Sequence, residues 1–275
     1  MNNLKEVLRP KTLSEFSKIY KKNSYLMAGS TYSFKSIENN NEIKELIIID
    51  SLPLKYIKKD KNSVRLGSLS TFYDLENNEI TKKHFFGFIS HAASFCSSQL
   101  IRNMATFGGN IAHPNAFNIL PLIVETLNGK IKIYDGKKYY TISLGAYYSK
   151  KIPGLITEII LPLKYDKNVF YFEKIARTNS SWESYITFSF RTGLLKNKIT
   201  DLRMVFGALT HIPLYNAQIE KEVIGKSVKE LDIDYVAKRY SDFVYSVNPS
   251  HKYSDYRKEV VYNTVKEFLN KLSKR

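Results

Sequence analysis

Hydrophobic and polar positions along the N-terminal third switch between two periods. Val7-Leu8-Arg9-Pro10 reads as a short extended piece, and Leu13, Phe16, Ile19 and Tyr20 then recur at helical spacing. Thr12 or Ser14 can cap that helix, because their side-chain oxygens accept from unpaired first-turn N–H groups. Tyr25-Leu26-Met27 reads as a strand running straight into the small residues Ala28-Gly29-Ser30-Thr31. Leu46 to Asp50 is a continuous β-branched run ahead of Pro53, the pattern of a buried strand, and Ser63 to Gly67 predicts another. Ser70 and Thr71 ahead of Asp74 and Glu76 mark a helix start. Phe85 to Met104 predicts one helix, ended by Gly108-Gly109. Leu120 to Leu127 predicts an amphipathic stretch, followed by strands Lys130–Tyr134 and Lys138–Ile142 around an Asp135-Gly136 turn.

The polar stretch Pro162 to Asn168 introduces a different region. Phe170–Ile175, Tyr185–Phe190 and Met204–Thr210 predict strands. A closing helix over Ser254–Leu272 would place Tyr256, Val260, Thr264 and Phe268 on one face. Strands and helices mix without a regular βαβ repeat, so the class is α+β. A boundary is placed near residue 165, giving residues 1–165, with subdomains of about 1–55 and 56–165, and residues 166–275.

Composition narrows the chemistry. A chain of 275 residues with 43% hydrophobic and 13% aromatic residues can cover a core without disulfides or metals. Cys96 is the single cysteine, so no intrachain disulfide and no cysteine-ligated zinc or iron–sulfur centre can form. Any redox metal would belong to another chain. The formal charge of +16 permits an acidic partner, but lysine is spread along the whole length, as on a solvated surface. Basic and aromatic residues are not gathered into a nucleic-acid motif. No apolar run approaches a membrane span, and the N-terminus lacks a signal-peptide core, so the default location is the cytoplasm.

Two small-residue loops are the candidate sites. In Thr106-Phe107-Gly108-Gly109-Asn110, adjacent glycines would bring main-chain N–H groups close to phosphate oxygens, with hydrogen bonds added by Thr106 and Asn110. An ordinary turn after a helix is the competing reading. Met27-Ala28-Gly29-Ser30-Thr31-Tyr32-Ser33 leaves a strand with free amides and several hydroxyls. Two such loops would suit a pyrophosphate gripped from both sides, and neither has the spacing of a Rossmann turn or a P-loop.

Gln99 to Ala112 resembles the Q-I-R-N-x-A-T-I-G-G-N-I-A signature of the FAD-binding (medium) subunit of molybdenum hydroxylases, the family of xanthine dehydrogenase and carbon monoxide dehydrogenase. Ala28-Gly29-Ser30-Thr31 stands where that family has A-G-G-T or A-G-G-Q. Leu66 to Thr71 with Asp74-Leu75-Glu76 is similar to its I-G-A-x-T-T-x-x-D-L-E, and Tyr171 to Arg177 to its Y-x-K-x-x-R strand. Gly207-Ala208, Pro213, Ala217, Glu220, Gly225 and Tyr256-Arg257 are spaced like its C-terminal domain.

The resemblance implies a PCMH-type FAD-binding fold of two α+β subdomains, followed by a C-terminal domain like that of the carbon monoxide dehydrogenase flavoprotein. By position, FAD would meet Met27, Ala28, Gly29, Ser30, Thr31, Tyr32, Ser33, Thr106, Gly108, Gly109 and Asn110, with His113, Asn118 and Ile119 close by and Lys174 near the flavin edge. It further implies a 2Fe-2S iron–sulfur subunit and a molybdopterin-binding large subunit as partners, and NAD or another final acceptor. No general acid or nucleophile is required of such a chain. Ser30 departs from the family's second glycine, Tyr32 from its small polar residue, and Ile119 from its carboxylate. A same-fold assembly or binding subunit without tight FAD binding is the alternative. His84, His91, His113, His211 and His251 show no metal spacing, Cys96 reads as packing, and Trp182 or a tyrosine could cover the flavin or the adenine.

Overall fold

Parallel strands need a crossover, and the first helix supplies one. In the computed structural model, which describes residues 4–22, 24–32, 43–150, 152–178 and 180–274, β1 (Glu6–Leu8), α1 (Leu13–Ile19) and β2 (Tyr25–Met27) form a βαβ unit. Strand β3 (Glu45–Ile48) inserts between them in the parallel order β1-β3-β2. Thr12 caps α1 by accepting the Glu15 N–H at 3.1 Å. The helix then buries Phe16 completely against Ile47, Leu52, Leu54 and Leu155.

The second sheet is antiparallel, in the order β4-β5-β8-β6-β7. It comprises β4 (Ile57–Lys59), β5 (Ser63–Gly67), β6 (Lys130–Tyr134), β7 (Tyr139–Ser143) and β8 (Leu155–Pro162). Between β5 and β6 runs a series of short helices: α2 (Phe72–Asn77), α3 (Glu79–Lys83), α4 (Phe88–Ser94), α5 (Gln99–Met104), α6 (Phe107–Ala112) and α7 (Leu120–Thr126). Helix α8 (Leu144–Lys150) follows β7.

The single helix expected over Phe85–Met104 is broken twice. Phe85 and Phe86 take left-handed φ values of 54° and 52°, and Ser97 takes 51°. The first break is held by Asp166, whose carboxylate accepts from the Phe85 N–H and pairs with the His84 ring. The second is held by Arg102, which donates to the Ser97 carbonyl at 2.9 Å. Helix α7 is buried on nearly every side rather than amphipathic, because it lies against the third sheet as well as the second-sheet layer.

That third sheet has the antiparallel order β11-β10-β9, with β9 (Val169–Ile175), β10 (Ile186–Leu195) and β11 (Lys198–Gly207). Lys196 and Asn197, at φ 48° and 65°, make the tight β10–β11 turn, whose twist matches right-handed strands. Helices α9 (Ala217–Val223), α10 (Ile233–Val247) and α11 (Ser254–Ser273) cover one face. Helix α10 was not anticipated, although Asp232 as cap and Val236, Ala237, Tyr240 and Val244 at helical spacing mark it. The buried stripe of α11 includes Arg257, Val261, Thr264, Val265, Phe268 and Leu272, so Tyr256, expected on the same face as Thr264 and Phe268, is exposed instead.

One side chain fastens the third sheet to the second-sheet layer. Arg191, only 1% exposed, grips Asp201 through Nε and Nη2 at 2.6 and 2.9 Å and donates through Nη1 to the Thr126 carbonyl. Its guanidinium lies 3.6 Å from the Tyr165 ring centre. Among the described residues no helix is long and apolar enough to cross a membrane, and no His, Cys, Asp and Glu cluster could hold a metal ion.

Candidate functional site

Three sequence motifs converge by bonding to one another. The segment after β5 runs alongside residues 105–108: Phe72 N–H donates to Ala105 O, Phe107 N–H to Ser70 O at 2.9 Å, and Gly108 N–H to Ser68 O at 2.8 Å. Gly108 is needed for this approach, since a Cβ there would stand 2.7 Å from that of Ser68. Thr71 caps α2 with a reciprocal Asp74 contact, and Thr106 caps α6 by accepting the Gly109 N–H at 3.1 Å.

The glycine pair therefore opens a helix instead of ending one. Its two amides donate to the Ser68 carbonyl and the Thr106 hydroxyl. The Asn110 side chain is committed too. Asn110 Nδ2 donates to Asn118 Oδ1 at 3.1 Å, and Asn118 Nδ2 donates to the carbonyls of Asn110 and His113 at 2.6 and 2.8 Å. The pair holds the 113–118 loop at a fixed height over α6.

The Q-x-x-R-N part of the signature is structural in the same way. Arg102 donates to Glu76 at 2.9 Å and Gln99 at 2.7 Å, and Gln99 donates to Asn103 at 2.8 Å, which anchors α5 to α2.

The other loop leaves β2 and meets the end of α5. Gly29 lies against the Met104 carbonyl, so a side chain at residue 29 would collide with main chain. Ser30 occupies the left-handed region at φ 60°, the conformation a glycine would take without cost. Among the described residues, the amides of Gly29, Ser30, Thr31 and Tyr32 have no main-chain acceptor. Among the described residues these, and not the amides of the glycine pair, are left for a ligand.

Between the loops runs a cleft of about 390 Å³, within the range of small-molecule sites. Ala28, Gly29, Ser30, Thr31, Tyr32, Thr106, Gly108, Gly109, Asn110, His113, Asn118, Ile119 and Lys174 all line it. Met27 does not: its neighbours Leu26 and Ala28 face the cleft, and strand alternation turns Met27 away. Ser33 lies outside the described residues. Sequence reasoning missed Leu26, Ile49, Ser68, Leu155 and Phe117, apolar or small residues without a local signal.

The cleft's polar furniture is specific. Ser68 Oγ is buried and has no hydrogen-bond partner among the described residues. His113 stands between two tyrosines, its ring 5.4 Å from Tyr32 and 6.5 Å from Tyr25, and burial lowers its pKa. At the end formed with the third sheet, Lys174 is 7% exposed and donates to Phe95 O at 3.0 Å and to Ser181 O. Burial pushes the neighbouring Cys96 thiol up to about 12, so it is no nucleophile. Phe117 and Trp182 meet edge to face, 5.1 Å apart, at that same end.

A half-open groove that, among the described residues, has one loop of unpaired amides and an orphaned serine hydroxyl fits a long ligand carrying a diphosphate. The comparisons agree. Residues 2–164 match the FAD binding domain in molybdopterin dehydrogenase, and residues 170–272 match the CO dehydrogenase flavoprotein C-terminal domain. The chain belongs to this family of FAD-binding subunits of molybdenum hydroxylases, and its cofactor is FAD.

Its particular relatives are subunits of dehydrogenases. The nicotinate dehydrogenase FAD-subunit of Eubacterium barkeri is 24% identical, over 96% of this chain and 94% of the relative. The glyceraldehyde dehydrogenase medium chain of Sulfolobus acidocaldarius is also 24% identical, over 76% and 75%. In fold, a chain of carbon monoxide dehydrogenase from Hydrogenophaga pseudoflava superposes with a TM-score of 0.82 at 18% identity, covering 97% of this chain and 96% of that one. A chain of quinoline 2-oxidoreductase from Pseudomonas putida gives 0.83 at 14% identity, covering 98% and 97%.

Proposed function

We propose that this chain carries FAD extended along the cleft as the electron-transfer subunit of a xanthine dehydrogenase-like complex. It would take electrons from the 2Fe-2S clusters of a partner chain, itself fed by a molybdopterin-binding large subunit, and deliver them to NAD or another acceptor. Residues 1–165 would serve as the FAD-binding region and 166–275 as the flavoprotein C-terminal domain. Bound FAD supplies reversible uptake of one or two electrons.

The chain's own residues bind, orient and shield. The free amides of Gly29 to Tyr32, with the hydroxyls of Ser30 and Thr31, face the diphosphate, and Thr106 adds its hydroxyl from the opposite wall. Phe117 and Trp182 cover the ring end, and Ile119 closes the floor with apolar surface, limiting water. The observation that carries this reading is that the loop with unpaired amides and the family's T-x-G-G-N helix line one cleft.

Purified protein should bind FAD at one per chain, seen as oxidised-flavin absorbance. Trp182, the only tryptophan in the chain, should lose fluorescence as FAD binds. A colourless protein that takes up no FAD, with unchanged tryptophan emission, would defeat the proposal in favour of a binding or assembly role.

A further inference from the structure

Where the segment after β5 runs beside α6, its hydroxyls and that of Thr106 come together, and all but one have protein partners. Ser70 Oγ donates to the Tyr56 carbonyl at 2.9 Å, Thr71 Oγ1 accepts the Asp74 N–H at 3.1 Å, and Thr106 Oγ1 accepts the Gly109 N–H at 3.1 Å. Ser68 is the exception. It is 2% exposed and lines the cleft, and among the described residues its Oγ has no hydrogen-bond partner. A hydroxyl taken out of water and left unpaired destabilises the fold that buries it, so native interiors seldom keep one unless a bound molecule meets it.

The main chain fixes where that hydroxyl starts. Ser68 N–H donates to the Thr157 carbonyl at 3.1 Å and Ser68 O accepts from the Gly108 N–H at 2.8 Å, which locks the residue between β8 and the first turn of α6. Its Cβ lies 2.7 Å from where a side chain at residue 108 would begin. Ser68 therefore belongs to the wall that carries Thr106, Gly108 and Gly109, across the cleft from the free amides of Gly29 to Tyr32. The family pattern I-G-A-x-T-T has alanine at this position, so the donor is this chain's own addition.

Resting on the flavoprotein reading, we propose that Ser68 is a cofactor-binding residue whose hydroxyl donates to an oxygen of the FAD diphosphate, opposite the amides of Gly29 to Tyr32. Diphosphate oxygens are charged acceptors, and hydrogen bonds to charged acceptors are about twice as strong as those between neutral groups. The bond exists only in the loaded protein. Removing the hydroxyl thus acts on the two states differently: the empty chain loses an unpaired polar group, and the loaded chain loses a bond.

The test compares wild type, Ser68→Ala and Ser68→Cys as full chains, stripped of FAD and then titrated with it. Stripped Ser68→Ala should match or exceed wild type in its urea midpoint, yet bind FAD at least fivefold more weakly, which is about 1 kcal/mol. Cysteine, similar in size but a weaker donor, should fall between the two, and it carries the comparison if the alanine variant fails to fold. ADP, which has the diphosphate but no flavin ring, should compete with FAD for wild type and lose affinity for Ser68→Ala by a similar factor. A smaller loss of FAD affinity, or one matched by a lower urea midpoint of the stripped chain, would overturn the proposal and make Ser68 a packing residue. An FAD loss that ADP does not share, or a wild type with which ADP does not compete, would overturn the diphosphate contact. Wild type that binds no FAD would instead remove the flavoprotein reading itself, and the proposal with it.

Discussion

Gly29 and Met104 touch main chain to main chain: a Cβ built on Gly29 would stand 1.8 Å from the Met104 carbonyl oxygen. This contact sets the distance between the β2 loop and helix α5, and with it the width of the cleft.

Gly29→Ala should therefore part the two elements. Overpacking against backbone costs about 1–3 kcal/mol. The variant should melt earlier and bind FAD at least tenfold more weakly, as read by thermal denaturation and by FAD titration. Wild-type affinity in this variant would show that the loop is free to shift.

Asn118 makes three hydrogen bonds that hold the 113–118 loop, two as donor and one as acceptor. Asn118→Ala leaves buried partners unsatisfied, at about 1–3 kcal/mol. Urea denaturation should show a lower midpoint, and the Trp182 emission should shift as Phe117 loosens beside it. Asn118→Asp should be less disruptive to shape but should lose both bonds donated to carbonyls.

Ser30 holds a left-handed backbone at φ 60°. That conformation costs a residue with a Cβ about 1–2 kcal/mol, and glycine's extra chain entropy returns about 0.5–1. Ser30→Gly should thus raise stability by about 0.5–1 kcal/mol, with an unchanged denaturant slope. A decrease would mean that the serine hydroxyl contributes more than its backbone strain costs.

Glu220 provides a pH test. Its carboxyl is 4% exposed and accepts from the Met204 N–H at 3.0 Å. Burial pushes its pKa up to about 7, with Arg203, 3.7 Å away, only partly opposing the shift. A carboxyl whose pKa is higher folded than unfolded stabilises fully below the unfolded value, and that contribution is lost as pH rises through the folded one. Wild type should lose about 3 kcal/mol between roughly pH 4.5 and 7 from this group. Glu220→Gln, measured by urea denaturation at pH 5 to 8, should flatten that part of the profile.

Much of the fold was legible because its signals are local. The Thr12 and Thr71 caps and the Ser63–Gly67 strand follow from a few residues each. The first break in the Phe85–Met104 stretch was not legible, since it depends on Asp166 bonding from a distant part of the chain to Phe85; the second rests on Arg102 bonding to Ser97 within the same stretch, a contact that residues of ordinary helix propensity do not announce. The same limit applies at the site. Both loops were visible as small-residue runs, yet which amides remain free depends on Ser68 and Thr106 having already claimed those of Gly108 and Gly109. Met27 was included with its neighbours and then excluded by strand alternation. Lys174 was found through a motif, but its burial is a property of distant neighbours.

The Arg191 clamp bears on how far one wall of the cleft can move. With its guanidinium locked among Asp201, Thr126 and Tyr165, the sheet that carries Lys174 is riveted to the helix beneath it. Such a joint does not act as a hinge, so the third sheet and helix α7 move as one body, and the wall of the cleft that bears Lys174 is rigid against the helix layer.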